Sequence, residues 1–309
     1  MTLALGIDLG GTKIEIIALA ASGEVLLRRR RPSPRGSYEA TLEAISALVR
    51  AVESELGAAG TVGFGTPGAI SPASGLLKNS NSTWLNGRPL DRDLADLLER
   101  PIALANDADC LALSEASDGA AAGAASVFAV ILGTGVGGGL AIHGRVLAGP
   151  NAIAGEWGHN PLPWPAPAEL PGAPCYCGLC GCIETWLSGP GLARDFRDAT
   201  GSARDGPAIV AAAARGEPAA EAALLRYEDR LARGLATVIN LLDPEAIVLG
   251  GGVSNLERLY TSVPARWQRY VFSDTVRTRL LPPKHGDSSG VRGAAWLGRK
   301  RVLAPSRAG

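Results

Sequence analysis

Residues 3–20, with the sequence LALGIDLGGTKIEIIALA, decide the fold of this chain. Apolar runs at residues 3–9 and 14–19 flank a pair of glycines and predict two strands joined as a hairpin. A glycine-rich phosphate loop is usually recognised by the helix that it opens, and no helical pattern follows here. These residues therefore fit both an ordinary hairpin with a Gly-Gly turn and a hairpin that binds phosphate.

The turn of this hairpin carries residue types that suit a phosphate group. Gly10 and Gly11 would let the backbone approach a phosphate closely and would tolerate positive φ. Thr12 would add a hydroxyl donor beside Lys13. Asp8 could hold a hydrated Mg²⁺ between its carboxylate and the phosphates.

The length and charge of the chain limit its class. With 309 residues it exceeds the size that one hydrophobic core usually fills, so we expect two domains. Lys plus Arg and Asp plus Glu both number 30, which argues against an electrostatic nucleic-acid binder. No apolar run is long enough to span a bilayer, and Asp8 interrupts the first apolar segment where a secretory leader would avoid charge. We expect a cytoplasmic protein that binds neither membrane nor nucleic acid.

Strand and helix patterns that follow the hairpin predict an α/β protein. Residues 24–31 predict a third, exposed antiparallel strand, and residues 62–66 predict a strand that ends at a turn containing Gly68. Ligands of open α/β sheets bind at the carboxyl ends of such strands. Residues 71–88 predict a polar loop that carries Asn81, and a loop of this length in a compact domain is often functional.

Asp107 lies where a predicted strand, residues 102–105, gives way to a predicted helix, residues 108–116. An acid in the first turn of a helix complements the helix dipole without any further role. Beside a sugar, the same carboxylate could accept the proton of a hydroxyl group. Both interpretations stay open on these residues alone.

Residues 126–144, SVFAVILGTGVGGGLAIHG, repeat the plan of the first hairpin around a turn of Gly133, Thr134 and Gly135. A formal G-x-G-x-x-G begins at Gly133, but the dinucleotide-binding pattern requires a helix afterwards, and residues 139–143 do not predict one. We infer an internal duplication that gives two related domains, each beginning with a phosphate-facing hairpin. Two hairpins facing each other across a cleft could hold a triphosphate from both sides.

A third glycine cluster, at residues 250–252, follows a predicted buried strand at residues 246–249. Ser254 and Glu257 predict a capping box for the next helix. A glycine patch between a strand end and a helix is a place where a nucleotide can lie flat, so these glycines join the candidate nucleotide site.

Four of the five cysteines crowd between residues 175 and 182. Cys175, Cys177 and Cys182 have the spacing C-x-C-x₄-C, and His159 lies sixteen residues before Cys175. Three thiolates and one imidazole make a closed tetrahedral zinc site of the structural type. In a reducing compartment this crowding favours a metal over disulfides. The alternative is a group of free buried cysteines, and Cys180 adds a further thiol to the same loop.

A zinc ion at this place would hold together two loops that also carry Glu156 and Glu184. Buried carboxylates need hydrogen-bond donors, and a polyol supplies several donors at once. Both glutamates are therefore candidates for binding sugar hydroxyls.

These motifs together resemble those of the ROK family of sugar kinases. The matching stretches run nearly end to end: GIDLGGTK, GTPG, NDAD, LGTGVGGG, GEWGH, CYCGLCGCIE and IVLGGGVS. Three longer stretches, KNSNSTWLNG, AGEWGHNPLPW and KHGDSSGVRGAAWL, are most similar to bacterial fructokinases of the manno(fructo)kinase branch. The resemblance implies a two-domain actin/hexokinase/Hsp70-like (ribonuclease H-like) α/β fold with a cleft between the domains. We expect domains at residues 1–118 and 119–288, with a last helix at about 289–305 that packs back on the first domain.

The resemblance also implies a role for each matching residue. The catalytic base corresponds to Asp107. The sugar-contacting positions correspond to Gly68, Asn81, Asn106, Asp107, Glu156, His159 and Glu184. The ATP positions correspond to Asp8, Gly10, Gly11, Thr12, Lys13, Gly133, Thr134, Gly135, Gly250, Gly251 and Gly252, with Asp8 holding Mg²⁺ through water. His159 would bind zinc through one ring nitrogen and face the sugar with the other. Cys180 falls at a variable position of the loop and is not expected to be a ligand.

The activity that the resemblance implies is ATP-dependent phosphorylation of a hexose at C6, with fructose as the expected substrate and mannose as a second one. The expected cofactors are ATP, Mg²⁺ and structural Zn²⁺, and the expected assembly is a homodimer. A glucokinase or an N-acetylhexosamine kinase of the same family is the first alternative, because only a few pocket contacts discriminate between hexoses.

Two further alternatives are a sugar-responsive transcriptional regulator and a catalytically silent sugar-binding protein. A regulator of this family carries a DNA-binding helical domain before the kinase-like body, and a first strand at residue 3 leaves no room for one. A silent protein is disfavoured because Asp107 and the glycines of all three clusters are present.

Overall fold

The computed structural model describes residues 3–303. The first two residues of the predicted N-terminal domain and the end of the predicted last helix, residues 304–305, lie outside this range. The described strands are β1 (Leu3–Leu9), β2 (Lys13–Leu19), β3 (Val25–Pro32), β4 (Gly60–Thr66), β5 (Ala69–Ile70), β6 (Leu77–Lys78), β7 (Ile102–Asn106), β8 (Ser126–Leu132), β9 (Val136–Ile142), β10 (Arg145–Val146), β11 (Ala246–Gly250) and β12 (Arg279–Leu281).

Helices follow the strands as the alternating sequence patterns predict. The described α-helices are α1 (Tyr38–Leu56), α2 (Leu90–Leu97), α3 (Asp107–Ser117), α4 (Ile183–Leu187), α5 (Gly189–Thr200), α6 (Gly206–Ala214), α7 (Pro218–Leu242), α8 (Leu259–Trp267) and α9 (Ser289–Leu303). Within residues 3–303 none of these helices combines the length and the apolar character that a membrane crossing requires.

The first sheet has the strand order β3-β2-β1-β4-β7. β1 pairs antiparallel with β2 and parallel with β4, so one strand of the predicted hairpin also belongs to the parallel part of the sheet. β3 pairs antiparallel with β2 at the edge of the sheet and is mostly exposed, as predicted for a third, exposed antiparallel strand. Strands β4 and β7 therefore end at the same edge of the sheet as the glycine turn.

The second sheet has the order β10-β9-β8-β11-β12, which repeats the plan of the first. In each sheet a hairpin supplies the central strand, and a later strand pairs with that strand in parallel. This repeated topology supports the internal duplication inferred from the two glycine hairpins.

Helices cover both faces of the first sheet. Apolar side chains of β1, β2 and β4 pack with those of α1 and α2 in one core. On the other face, Ala4 and Ile17 pack with Val291 and Ala295 of α9. This second contact is unusually close, because a Cβ atom at Gly6 or at other glycines below α9 would come nearer than 3.0 Å to the helix backbone.

The chain divides into two compact units. The first runs to residue 125 and adds residues 139–154 and the chain from residue 284 onward, and the second contains residues 126–138 and 155–283. The first unit thus includes residues 119–125, 139–154 and 284–288, which the predicted boundaries assign to the second domain. For residues 139–154 the physical reason is local packing, since β10 lies against α3 and Gly139 meets the backbone of Ala108 too closely for any side chain.

The predicted capping box of Ser254 and Glu257 does not form. A short 3₁₀ turn, Gly252–Asn255, follows β11, and α8 begins only at Leu259. The hydroxyl of Ser254 donates instead to the carbonyl of Gly251 at 2.7 Å and stabilises the glycine turn itself.

Candidate active site

The first glycine turn is held from one side by residues 33–35. The hydroxyl of Ser33 donates to Gly10 O at 2.6 Å, and Arg35 Nε donates to Gly11 O at 3.0 Å. The N–H of Ser33 donates to Thr12 O at 3.0 Å. Three consecutive carbonyl groups of the turn therefore point at this one segment.

The planarity of the peptide unit converts this arrangement into a site for an anion. In a trans peptide the N–H group points opposite to the carbonyl of the preceding residue. The N–H groups of Gly11, Thr12 and Lys13 therefore point away from residues 33–35. Successive backbone N–H groups on one side of a turn form a concave site that suits a phosphate.

Asp8 precedes this turn on β1 and lies opposite Glu15 on β2, which in turn lies opposite Arg30 on β3. Burial, then the charges of Asp107 and Glu15, raise the pKa of Asp8 from 3.8 to about 6. Burial and the neighbouring negative charges destabilise the carboxylate form of Asp8, and a bound cation would offset both effects. The chemistry of the position therefore fits the predicted magnesium ligand.

Glu15 is a member of this group that the sequence analysis missed. Its side chain is only 2% exposed, and it accepts hydrogen bonds from Arg28 and Arg30, the latter at 2.6 Å. Lys13 Nζ lies 3.8 Å from the same carboxylate. A signal exists in the sequence, because an acid inside an apolar strand beside four consecutive arginines of the next strand predicts a cross-strand ion pair.

Asn106 and Asp107 lie at the junction of β7 and α3, as predicted. The side chain of Asn106 caps α3 by accepting from Ala108 N at 2.8 Å. Its amide nitrogen donates to Gly68 O at 3.4 Å, which ties this junction to the end of β4. Asp107 Oδ1 also accepts from Ala108 N at 2.8 Å, and its charge reaches Asp8. The structure thus brings the predicted base, the predicted magnesium ligand and two predicted sugar residues to one edge of the first sheet.

The loop that carries Asn81 reaches the same edge. A Cβ atom added at Gly11 would lie 3.2 Å from Ser82 Oγ and 4.0 Å from Asn81 Oδ1. Gly68 packs against this loop so closely that a Cβ atom there would come nearer than 3.0 Å to the backbone of Lys78. Asn81 therefore lies beside the first glycine turn, and Gly68 packs against the loop that carries Asn81.

In the second unit, the turn between β8 and β9 carries Gly133, Thr134 and Gly135. Gly133 N donates to Gly135 O at 3.0 Å and closes the turn. Gly251, with φ of +82°, packs on the end of β8 and leaves no room for a Cβ atom. The second and third glycine clusters are therefore neighbours, as a shared nucleotide site would require.

Four side chains converge at the cysteine loop of the second unit. One ligand atom from each of His159, Cys175, Cys177 and Cys182 lies within 4.8 Å of the others. Hydrogen bonding from the backbone of Leu179, together with the neighbouring thiols and His159, lowers the pKa of Cys177 to about 7 and favours the thiolate form that binds metals. The predicted Cys₃His donor set is thus assembled, and its chemistry fits tetrahedral zinc.

The second ring nitrogen of His159 faces Tyr176 in this structure. Nε2 lies 2.9 Å from the Tyr176 hydroxyl, whereas Nδ1 lies 3.5 Å from Cys175 Sγ. Partial burial of the hydroxyl, then the charges of Glu184 and Glu156, raise the pKa of Tyr176 to about 12. Tyr176 therefore lies among the predicted sugar residues of the second unit, a position that the motif spacing did not reveal.

Comparison with known proteins identifies relatives that match almost the entire chain. The sequence pattern of the ROK family matches residues 4–301. Over 299 residues the chain is 39% identical to the N-acetyl-D-glucosamine kinase of Yersinia pseudotuberculosis serotype O:1b, strain IP 31758. That match covers 94% of this chain and 97% of the kinase.

Solved structures give the same result for the fold. The ROK hexokinase from Thermus thermophilus superimposes with a TM-score of 0.87 at 32% identity, covering 98% of this chain and 99% of that one. A ROK family glucokinase from Streptomyces griseus, solved with glucose and AMPPNP, superimposes with a TM-score of 0.76 at 28% identity, covering 96% and 99%. The predicted actin/hexokinase-like α/β fold is therefore confirmed.

Proposed function

Because this chain belongs to the ROK family, we propose that it transfers the γ-phosphoryl group of ATP to the C6 hydroxyl of N-acetylglucosamine. The observation that supports this choice of substrate is the 39% sequence identity to an N-acetyl-D-glucosamine kinase over nearly the full length of both chains. This relationship supports the N-acetylhexosamine alternative better than the fructose substrate expected from short motifs. The coarser activity, ATP-dependent sugar phosphorylation, is common to both.

Phosphoryl transfer depends on positioning and charge neutralisation more than on covalent chemistry. In the first unit, the N–H groups of Gly11, Thr12 and Lys13 would bind phosphate oxygens. In the second unit, the turn at Thr134 and the adjoining Gly251 would bind other parts of the nucleotide. Backbone donors that are already fixed need no reorganisation when charge develops on the phosphate.

Asp107 would act as the general base that accepts the proton of the sugar hydroxyl. Its place in the first turn of α3 stabilises a negative charge, because the helix dipole favours an anion there. Asn106, at the end of β7, donates to the carbonyl of Gly68, which follows β4, and both residues would orient the sugar beside Asp107. A positioned base of this kind contributes about 10²–10⁴-fold to the rate.

Asp8 would hold hydrated Mg²⁺, which supplies charge neutralisation to the phosphates when it is bound. The raised pKa of Asp8 supports this role, since a cation would offset the repulsion from Asp107 and Glu15. In the second unit, Glu156 and Glu184 would accept hydrogen bonds from sugar hydroxyls, and the second ring nitrogen of His159 would donate one. Zinc at the Cys₃His group would fix the loops that carry these residues.

A substrate panel tests this proposal. Purified protein with ATP and Mg²⁺ would be assayed for ADP release with N-acetylglucosamine, N-acetylmannosamine, glucose, fructose and mannose. We expect kcat/KM for N-acetylglucosamine to exceed that for each other sugar at least about tenfold, a difference of about 1.4 kcal/mol in transition-state binding. A preference for fructose would overturn the substrate, and no ADP release with any of the five sugars would overturn the kinase assignment.

A further inference from the structure

The second glycine turn is held at both ends by the short segment 184–189. Val136 N donates to Glu184 Oε2 at 2.9 Å. Gly189 N donates to Gly133 O at 2.8 Å. Because the carbonyl of Gly133 is engaged in this way, the N–H of Thr134 points to the opposite side of the turn, where an anion can reach it.

The carboxylate of Glu184 packs directly against this turn. A Cβ atom added at Gly135 would lie 2.6 Å from Glu184 Oε2 and 3.5 Å from its Cδ. With any side chain at position 135, the carboxylate of Glu184 would have to shift from this place. Glu184 fixes the backbone direction at Val136 because its side-chain oxygen accepts the Val136 N–H.

The same segment is anchored on the predicted zinc loop. Cys182 lies two residues before Glu184, and its carbonyl accepts from both the N–H and the hydroxyl of Thr185, at 2.9 and 2.7 Å. Ile183 N donates to Asn160 O, next to His159, at 2.8 Å. The short helix α4 thus connects two of the metal ligands rigidly to the glycine turn.

We propose that Glu184 is a positioning residue for the nucleotide: it sets the shape of the phosphate turn from the zinc-loop side, in addition to contacting the sugar. A carboxylate has two oxygens, so one can hold Val136 while the other accepts from a sugar hydroxyl. This inference rests on the proposed function and deepens it. Its consequence is that nucleotide affinity depends on Glu184 even when no sugar is present.

Three substitutions at Glu184 separate the two roles. Glu184→Gln keeps an oxygen that can accept from Val136 N but removes the charge. Glu184→Asp keeps the charge but withdraws the carboxylate by one methylene from the turn. Glu184→Ala removes both, and Glu156→Ala serves as the control, since it removes a second proposed sugar carboxylate from the same unit.

The measurement is calorimetric titration of each variant with AMPPNP and Mg²⁺ in the absence of sugar, followed by titration with N-acetylglucosamine alone. We expect Glu184→Ala and Glu184→Asp to weaken AMPPNP binding about tenfold, the effect of one lost hydrogen bond to the turn. We expect Glu184→Gln and Glu156→Ala to bind AMPPNP within about threefold of the unchanged protein, while their sugar binding weakens.

Unchanged AMPPNP affinity in Glu184→Ala and Glu184→Asp would overturn the inference and leave Glu184 as a sugar ligand only. Equal losses in Glu184→Gln and Glu184→Asp would also overturn it, because the retained acceptor would then have no effect. If Glu184→Ala does not fold, as judged by circular dichroism, the Gln and Asp variants still decide the question. Failure of the proposed function is seen separately, as absent ADP release by the unchanged protein despite AMPPNP binding.

Discussion

Asp8 on β1 lies directly opposite Glu15 on β2, so two carboxylates share one face of the first sheet. The negative charges of these two carboxylates are compensated to different extents. Arg28 and Arg30 of the neighbouring strand pair with Glu15, whereas Asp8 experiences burial and the charge of Asp107, which raise its pKa to about 6. The fold therefore keeps a destabilised carboxylate at the place where we propose that magnesium binds, and perturbed carboxyl groups of this kind are common at functional sites.

Asp8→Asn is expected to make the magnesium-free protein more stable at pH 7.5. A carboxyl group whose folded pKa is raised contributes stability below its unfolded value of 3.8 and loses it as the pH rises through about 6. Removing the charge should therefore raise the free energy of unfolding by about 1–3 kcal/mol at pH 7.5, with little change at pH 3.5. Urea denaturation in the presence of chelator at both pH values measures this, with Asp287→Asn, at an exposed site, as the control. An equal or lower stability at pH 7.5 would contradict the physical argument.

Asp107→Asn is expected to lower kcat by about 10²–10⁴-fold and to leave sugar affinity within about tenfold. The amide can still accept from Ala108 N, so the start of α3 should remain intact. Asp205→Asn is a matched control, since Asp205 Oδ1 accepts from Ala208 N at 2.9 Å at the start of α6. If both aspartates acted only on their helices, the two variants would have similar kcat. Near-normal turnover in Asp107→Asn would therefore remove the assignment of the base.

Cys177→Ser and Cys180→Ser provide a test of the zinc site within a single loop. Both cysteines are exposed, but only Cys177 belongs to the converging group, with Sγ 3.6 Å from Cys182 Sγ. We expect one zinc per chain in the unchanged protein and in Cys180→Ser, and loss of zinc in Cys177→Ser. That loss should lower the free energy of unfolding by about 2–4 kcal/mol, the contribution of a ligand at 100 to 1,000 times its Kd. Elemental analysis of active protein that contains no zinc would refute the site.

The sequence predicted most of the regular structure at the candidate site, because the patterns involved are local. The hairpin of β1 and β2, the exposed strand β3 and the placement of Asp107 at the start of α3 all follow from apolar periodicity and turn residues. The start of the helix after β11 was predicted less well. A 3₁₀ turn forms where the capping box was expected, and α8 begins later, at Leu259.

Contacts between distant segments were beyond the reach of the motifs. Glu184 contacts Val136 across 48 residues, and a side chain that binds the backbone of a distant segment leaves no local pattern in the sequence. Tyr176 is not one of the residues that the cysteine motif singles out, so its contact with His159 appears only in three dimensions. The grouping of residues 139–154 with the first unit likewise depends on packing against α3.

The contact between α9 and α3 predicts that glycine-to-alanine substitutions at two positions of α9 change the free energy of unfolding in opposite directions. Gly293 lies so close to α3 that a Cβ atom would come nearer than 3.0 Å to the carbonyl of Cys110, whereas a Cβ atom at Gly290 meets nothing within 4 Å. Gly293→Ala should therefore lower the free energy of unfolding by about 3 kcal/mol or more, because two backbones would have to separate. Gly290→Ala should raise it by about 0.5–1 kcal/mol, since alanine favours the helix and has room. Urea midpoints at constant m-value measure both, and equal shifts in the two variants would show that α9 does not pack on α3 in this way.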